Sequence, residues 1–344
     1  MELKQAQHLF KQFFPDRKVE HLQAITEGLI NQTFVVFTTS HKFILQSINT
    51  TFFPLYKEGL FNILLVKKHL SEAKFPYAFP TPIQHKYIEF KSQMWRLFPF
   101  IEDSVCYNKV PSQAIVKEAG KCLGSFYRST ASVPVEQLHI TLPDFHTGVF
   151  RLAQLEQSVN TCGEERKKLA QELIENIYSQ KEVLLLLDHL NVSLPKRVVH
   201  FDTKISNFLF DKKTDKAKAL IDLDTLMPGT VLSDIGDMIR TYSNVLGEES
   251  QDISQVKADS KIIEDLLRSF LSEVTLTKEE KVQLYFAGEA ITLMQSVRFL
   301  TDFLNNDVYY KISYEMHNLM RAKNQWALYK SLKQLVLPNL HVSE

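Results

Sequence analysis

The pattern of hydrophobic and polar positions changes along this chain, and the change divides it. Near the start, Thr33–Thr39 (TFVVFTT) and Lys42–Ile48 (KFILQSI) are rich in β-branched and aromatic residues. They predict two strands, with Ser40-His41 as a tight turn between them. Leu55–Leu70 carries Leu60, Ile63, Leu64 and Leu70 at helical spacing, which predicts one helix. Pro76, Pro80 and Pro82 then punctuate the chain, and Tyr87–Phe90 and Met94–Ile101 predict two more strands around Lys91-Ser92-Gln93. The first hundred residues read as a strand-rich lobe with one helix.

Beyond Pro111 the period becomes helical. Ser112–Thr130, Val149–Val159, Glu164–Leu190, Val256–Val274 and Lys278–Asn305 all repeat apolar residues every 3.6 positions. A last helix is expected over Ser313–Val336, stopped by Pro338. One stretch breaks the pattern. Arg197–Phe210 and Ala217–Leu223 predict short strands joined by the polar turn Asp211–Asp215. A polar island inside a helical region is where chemistry is to be sought.

Composition narrows the classes. The 344 residues allow one large or two medium domains. Forty basic residues balance forty acidic ones, so the positive surplus that phosphate neutralisation requires is missing and no nucleic-acid partner is expected. Cys106, Cys122 and Cys162 show no CxxC spacing. That argues against zinc ribbons and disulfide frameworks, and fits a reducing cytoplasm. GxGxxG, GxxxxGK[ST] and HExxH are all absent from the sequence. The longest apolar run, Val183–Leu187, is far too short to span a bilayer, so no membrane segment is expected.

The polar island reads Val198-Val199-His200-Phe201-Asp202-Thr203-Lys204-Ile205-Ser206-Asn207, and Asp222 follows fifteen residues after Asn207. Phosphoryl transfer needs a carboxylate to take the attacking hydroxyl's proton, oxygen ligands for Mg²⁺, and a rigid loop to hold them. An Asp, an Asn five residues on, and an Asp after the next strand can supply all three. This is the spacing of the protein-kinase HRDxxxxN and DFG motifs. Asp202 then takes the base role, Asn207 and Asp222 the metal roles, and Lys204 sits near the transferring group.

The stretch resembles the aminoglycoside phosphotransferase and choline kinase superfamily. Ala219-Leu220-Ile221-Asp222-Leu223-Asp224-Thr225-Leu226-Met227-Pro228-Gly229, through Asp234 to Arg240, is similar to its N-acetylhexosamine 1-kinase branch. Gly28-Leu29-Ile30-Asn31-Gln32-Thr33-Phe34 resembles that branch's phosphate-covering turn, Lys42–Asn49 its next strand, and Trp95–Ile101 its hinge. Arg298–Tyr310 resembles a late helix and loop. The resemblance implies an α+β, protein-kinase-like two-lobed fold, with a β-rich nucleotide lobe over residues 1–100 and a helical lobe over 101–344.

The resemblance also implies ATP and Mg²⁺ as cofactors. Catalysis falls to Asp202 and Lys204, metal binding to Asn207 and Asp222, and nucleotide binding to Gly28, Asn31, Thr33, Gln46, Phe98 and Phe100. Asp224, Arg298 and Asp302 are candidate substrate contacts. The implied acceptor is the anomeric hydroxyl of N-acetylglucosamine or N-acetylgalactosamine. Two departures stand out: Gln46 occupies the strand position of the kinase lysine, and glycine is reduced to Gly28 in the turn. Three readings stay open beside the preferred one. The acceptor could be an aminoglycoside, choline or a homoserine-like molecule; the chain could be a weakened nucleotide-binding scaffold; and Arg298 and Asp302 could be an i,i+4 ion pair.

Overall fold

In the β-rich part, two-residue alternation in three strands builds one apolar face. The computed structural model describes residues 1–25 and 31–335. Helix α1 (Leu3–Lys11) precedes strands β1 (Val19–Ile25), β2 (Gln32–Thr38) and β3 (Lys42–Ile48). Helix α2 (Tyr56–Glu72), β4 (Ile88–Phe90) and β5 (Gln93–Pro99) follow. The five strands pair antiparallel in the order β1-β2-β3-β5-β4. Phe34, Val36, Phe43, Leu45, Trp95 and Leu97 form an apolar cluster covered by Ala6, Leu9 and Phe10 of α1.

Two elements here lie outside the sequence expectation, and both have a physical reason. β1 is an edge strand that buries only Val19, so its residues carry no apolar alternation. α1 buries just Ala6, Leu9 and Phe10, a stripe too short to register as a period.

α2 belongs to the other side energetically. Its Ile63, Val66 and Leu70 join the core of the helical region. Buried Asn62 fixes it further: its Nδ2 donates to the His139 and Leu226 carbonyls at 2.8 and 2.9 Å, and its Oδ1 accepts from His139 N at 2.8 Å.

The remainder contains α3 (Gln113–Ser129), α4 (Gly148–Thr161), α5 (Glu164–Tyr178), α6 (Lys181–Ser193), α7 (Val231–Ser243), α8 (Ser260–Leu271), α9 (Lys278–Leu304) and α10 (His317–Gln334). Short strands β6 (Ser104–Val105), β7 (Arg197–Val199), β8 (Phe208–Asp211), β9 (Ala217–Leu220) and β10 (Met227–Gly229) form two small sheets, β6-β8-β9 and β7-β10. A β-sheet lobe followed by a mainly helical portion is the expected two-lobed architecture.

The expected single helix over Glu164–Leu190 is two helices. Gln180 leaves the helical region (φ −113°, ψ 13°), and its side-chain oxygen accepts from Tyr329 Oη at 2.8 Å and Lys333 Nζ at 2.6 Å. The Val256–Val274 helix starts only at Ser260, because Asp259 caps the first turn by accepting from Lys261 N and Ile262 N. The last helix begins at His317, and Val336 lies outside the described residues. Among the described residues no helix is long and apolar enough to cross a membrane.

α7 is buried along nearly its whole length, and two glycines let it lie against α9. A Cβ on Gly236 would come within 2.4 Å of Ile291 and 2.5 Å of the Ala287 carbonyl; one on Gly288 would come within 2.4 Å of Ile239. Gly236→Ala is therefore expected to destabilise the chain by about 1–3 kcal/mol through overpacking. Urea unfolding measures this, and an unchanged midpoint would contradict the close approach.

Candidate active site

The stretch between β7 and β8 is wrapped around one buried carboxylate. Asp234, in the first turn of α7, accepts from His200 N at 3.0 Å, Phe201 N at 2.7 Å and Tyr127 Oη at 2.9 Å. Its own carbonyl accepts from Thr203 Oγ1 at 2.7 Å. Asp234 thus braces the loop rather than merely charging a helix end. Burial pushes its carboxyl up to about 6, although the three donors favour the charged form. Phe201 adopts a left-handed backbone (φ 66°), a strained conformation that surrounding bonds must enforce.

The loop then closes on the following strands. His200 is fully buried; its Nδ1 accepts from Asp202 N at 3.3 Å, so its Nε2 donates to the Ile221 carbonyl at 2.9 Å. Asn207 Nδ2 donates to the Asp202 carbonyl at 2.7 Å, and the Asn207 carbonyl accepts from Ile221 N at 3.0 Å. Asp202, Asn207 and Asp222 are brought together by bonds among their own neighbours.

The Asp202 side chain keeps 27% of its surface exposed and meets Lys204 Nζ at 2.8 Å. Burial opposes its charge, but Lys204 and the Asn207 amide outweigh burial and hold the carboxyl below the usual range. Lys204 loses from burial and gains more from Asp202 and Asp222, so its ammonium is strengthened. Asp222 has a left-handed backbone (φ 61°) and opens to solvent. The surrounding protein and the charges of Asp224 and Asp202 push its carboxyl up to about 6 against the pull of Lys204. Among the described residues no donor hydrogen-bonds the Asp222 carboxylate. Asn207 has committed its amide nitrogen, which leaves its oxygen as the remaining donor to a cation.

Asp224 is not free in the cleft, as a substrate contact would need to be. Arg96 Nη1 and Nη2 grip its two oxygens at 2.5 Å each, and Asn31 Nδ2 donates to one of them at 3.0 Å. The Arg96 and Asp224 side chains are 2% and 5% exposed, so the pair is fully enclosed. Gln46 faces Arg96 directly across the β3–β5 ladder. Its Oε1 accepts from Arg96 Nη2 at 2.6 Å and Nε at 3.0 Å, while its Nε2 donates to Thr33 Oγ1 at 3.0 Å. The cation expected at position 46 is thus present one strand over, at Arg96. Phe98 packs under the Arg96 guanidinium at 4.9 Å, and the Lys42 ammonium lies 5.0 Å from the ring of Phe100, just beyond β5. Gly28 lies outside the described residues.

Arg298 and Asp302 do not pair with each other. Asp302 is buried and accepts from Tyr309 N at 2.8 Å, Tyr310 N at 2.9 Å and Asn318 Nδ2 at 2.9 Å. It shapes the loop after α9 and does not face the cleft as a free sugar contact. Arg298 donates to Gln295 Oε1 at 3.0 Å and lies 5.0 Å over Phe145 and 5.9 Å from Tyr309 and Tyr310. Arg151 converges on the same place, donating to the Phe145 carbonyl at 2.9 Å. The Phe145 ring packs on Phe201, beside Asp202, with centroids 6.0 Å apart. Neither arginine forms an ion pair among the described residues. Burial and the charge of Arg298 lower Arg151 to about 10. Burial, then Arg298 and Arg151, also hold His146 well below its usual range.

The model of the APH phosphotransferase enzyme family matches residues 21–260, which include the whole loop, Asp222 and Asp234. The chain belongs to that family. Solved structures share its fold at low identity. Spectinomycin phosphotransferase APH(9)-Ia, solved with ADP and spectinomycin, has a TM-score of 0.66 at 13% identity, over 96% of this chain and 98% of that one. Choline kinase LicA from Streptococcus pneumoniae gives 0.59 at 12%, over 96% and 99%. The GDP complex of aminoglycoside 2′-phosphotransferase-IIIa gives 0.60 at 9%, over 95% and 99%. The fold of this phosphotransferase is therefore the protein-kinase-like one.

The pairing of Arg96 with Asp224 and the convergence of Arg151 on Arg298 escaped sequence reasoning. Arg96 is the one charge in β5, QMWRLFP, with apolar residues on both sides of it, and that was its signal. Arg151 sits on α4 and Arg298 on α9, and nothing in their spacing joins them.

Two measurements follow. Arg96→Met leaves Asp224 buried without its counter-charge and is expected to cost about 3–5 kcal/mol of stability, with much of it restored when Asp224→Leu is added. Denaturant unfolding of the singles and the double decides this; additive losses would contradict the pairing. Asp234 carries a folded-state carboxyl raised above its unfolded value, so its contribution is greatest at low pH and fades as pH rises through about 6. The stability of the wild type relative to Asp234→Asn should fall by roughly 2–3 kcal/mol between pH 4 and pH 7. A flat difference would mean that Asp234 titrates normally.

Proposed function

We propose that this phosphotransferase is an ATP-dependent kinase that phosphorylates the anomeric hydroxyl of an N-acetylhexosamine. The observation that carries the reaction is Asp202: exposed enough to meet a hydroxyl, kept ionised by Lys204, and fixed by Asn207 and His200. It accepts the hydroxyl's proton as the oxygen attacks the terminal phosphoryl group. Lys204 holds positive charge beside the transferring group and orients Asp202. Nucleotide binding between the sheet and the helical lobe is supported by relatives solved with ADP, AMP and GDP; Thr33, Gln46, Phe98 and Phe100 line up on that side.

Asn207 and Asp222 are hard oxygen donors at adjacent strand ends, with one carboxylate uncommitted, and so fit Mg²⁺. When bound, the cation neutralises phosphate charge as the bond breaks. Asp222 and Asn207 would hold it.

The acceptor reading is supported by Arg151 and Arg298. Two guanidiniums without carboxylate partners repel a cationic acceptor, yet donate well to hydroxyls and to an acetamido carbonyl. That favours a neutral, oxygen-rich sugar over choline or a polycationic aminoglycoside.

ATP consumption measured with N-acetylglucosamine, N-acetylgalactosamine, glucose, galactose, choline and kanamycin tests both parts. Turnover should be fastest with an N-acetylhexosamine, and Asp202→Asn should lose about 10²–10⁴-fold. Faster turnover of choline or kanamycin would overturn the acceptor assignment; full activity in Asp202→Asn would overturn the role of Asp202. Lys204→Ala should lower kcat about ten-fold or more, and an unchanged kcat would remove Lys204 from the reaction.

A further inference from the structure

The connection from β3 to α2 places one aromatic ring across the cleft. Phe52 meets Tyr309 edge-on, with ring centroids 4.8 Å apart and planes at 87°. Phe52 follows the nucleotide-side sheet. Tyr309 belongs to the loop after α9, beside Arg298 on the acceptor side.

Each ring is tied to its own wall. On the nucleotide side, Asn49 Oδ1 accepts from Thr51 N at 3.1 Å and Phe52 N at 3.4 Å. Asn49 N donates to Asn31 Oδ1 at 2.9 Å, and Asn31 Nδ2 donates to Asp224 at 3.0 Å. The turn bearing Phe52 is therefore anchored on Asn31, at the start of β2, and through it on the loop that follows Asp222. On the acceptor side, Asp302 fixes the backbone of Tyr309 and Tyr310, whose rings lie 4.6 Å apart. The Arg298 guanidinium lies 5.9 Å from both.

Stability is a weak reason for such a contact. Phe52 is half-buried and Tyr309 is 42% exposed, so the pair adds little beyond the modest worth of one aromatic contact. Its geometry does something else. It sets the distance between the turn that Asn31 anchors and the aromatic group around Arg298.

We propose that Phe52 is a positioning residue that couples the two ligands of the reaction. Order imposed on the Asn31–Asn49 turn by a nucleotide passes through the Phe52–Tyr309 contact to the loop over Arg298, and completes the acceptor site. The acceptor in turn strengthens nucleotide binding by the same factor, as linkage requires. This inference rests on the kinase reading above.

Hydrogen exchange with and without the non-hydrolysable analogue AMP-PNP and Mg²⁺ tests it without needing the acceptor. In the wild type the analogue should protect amides in 31–53 and also in 305–312. In Phe52→Ala protection should remain in 31–53 and vanish from 305–312; Phe52→Tyr, which keeps the ring, should restore it. With an acceptor in hand, saturating acceptor should tighten AMP-PNP binding about five-fold or more in the wild type and leave it unchanged in Phe52→Ala. Protection of 305–312 that survives Phe52→Ala, or that never appears in a wild type that binds AMP-PNP, overturns the coupling and leaves the kinase reading standing. A wild type that binds no AMP-PNP overturns the kinase reading itself, and the coupling with it.

Discussion

The cleft of this phosphotransferase is organised by the enclosed pair of Arg96 and Asp224. A guanidinium in the middle of a β-strand cannot be left without a counter-charge, since an uncompensated buried ion costs several kcal/mol. Asp224 supplies it from the opposite wall, two residues after Asp222. The pair therefore places Asp222 relative to the sheet, and Gln46, Thr33 and Asn31 all hydrogen-bond into the same network. A lysine at position 46 would put a second cation against Arg96. The glutamine that stands there accepts from the arginine instead, so the departure from the kinase pattern is a consequence of where this chain keeps its positive charge.

A second buried carboxylate organises the other half of the site. Asp234 takes two consecutive loop N–H groups, and those bonds hold the strained backbone at Phe201 that presents Asp202. The Asn207 backbone carbonyl and the His200 ring then tie the loop to Ile221, between the end of β9 and Asp222. Asp202 itself makes one side-chain bond to a cation, Lys204. The arrangement leaves the carboxylate charged and reachable, which is what a group that receives a hydroxyl proton requires. Because α7 carries Asp234 and is packed through Gly236 against α9, the loop position depends on that helix contact.

Much of this was legible in the sequence where the chain is local. Asp202, Asn207 and Asp222 could be found by spacing because the loop and hairpin that gather them are built from consecutive residues. The strands β2, β3 and β5 could be read from their β-branched and aromatic residues, and most long helices from their period. What could not be read involves partners far apart. Arg96 and Asp224 are separated by 128 residues, and only a charge between apolar neighbours hinted at the pair. Asp302 and Arg298 sit one turn apart, which suggested a shared target; the structure turns one to the loop backbone and stacks the other on Phe145. Arg151 comes from a different helix and reaches that place only through tertiary packing. α1 and β1 bury too few residues to show a period, and the break at Gln180 depends on a side-chain contact with α10.

In the proposed reaction a hydroxyl at the anomeric carbon attacks a phosphoryl group under the control of Asp202. ³¹P NMR of the product from ATP, Mg²⁺ and N-acetylglucosamine or N-acetylgalactosamine decides whether this reaction occurs. One new phosphomonoester resonance coupled to the anomeric proton of the sugar should appear as ADP forms and be absent with Asp202→Asn. A phosphoester on any other sugar oxygen, or ADP formed with inorganic phosphate alone, would contradict it.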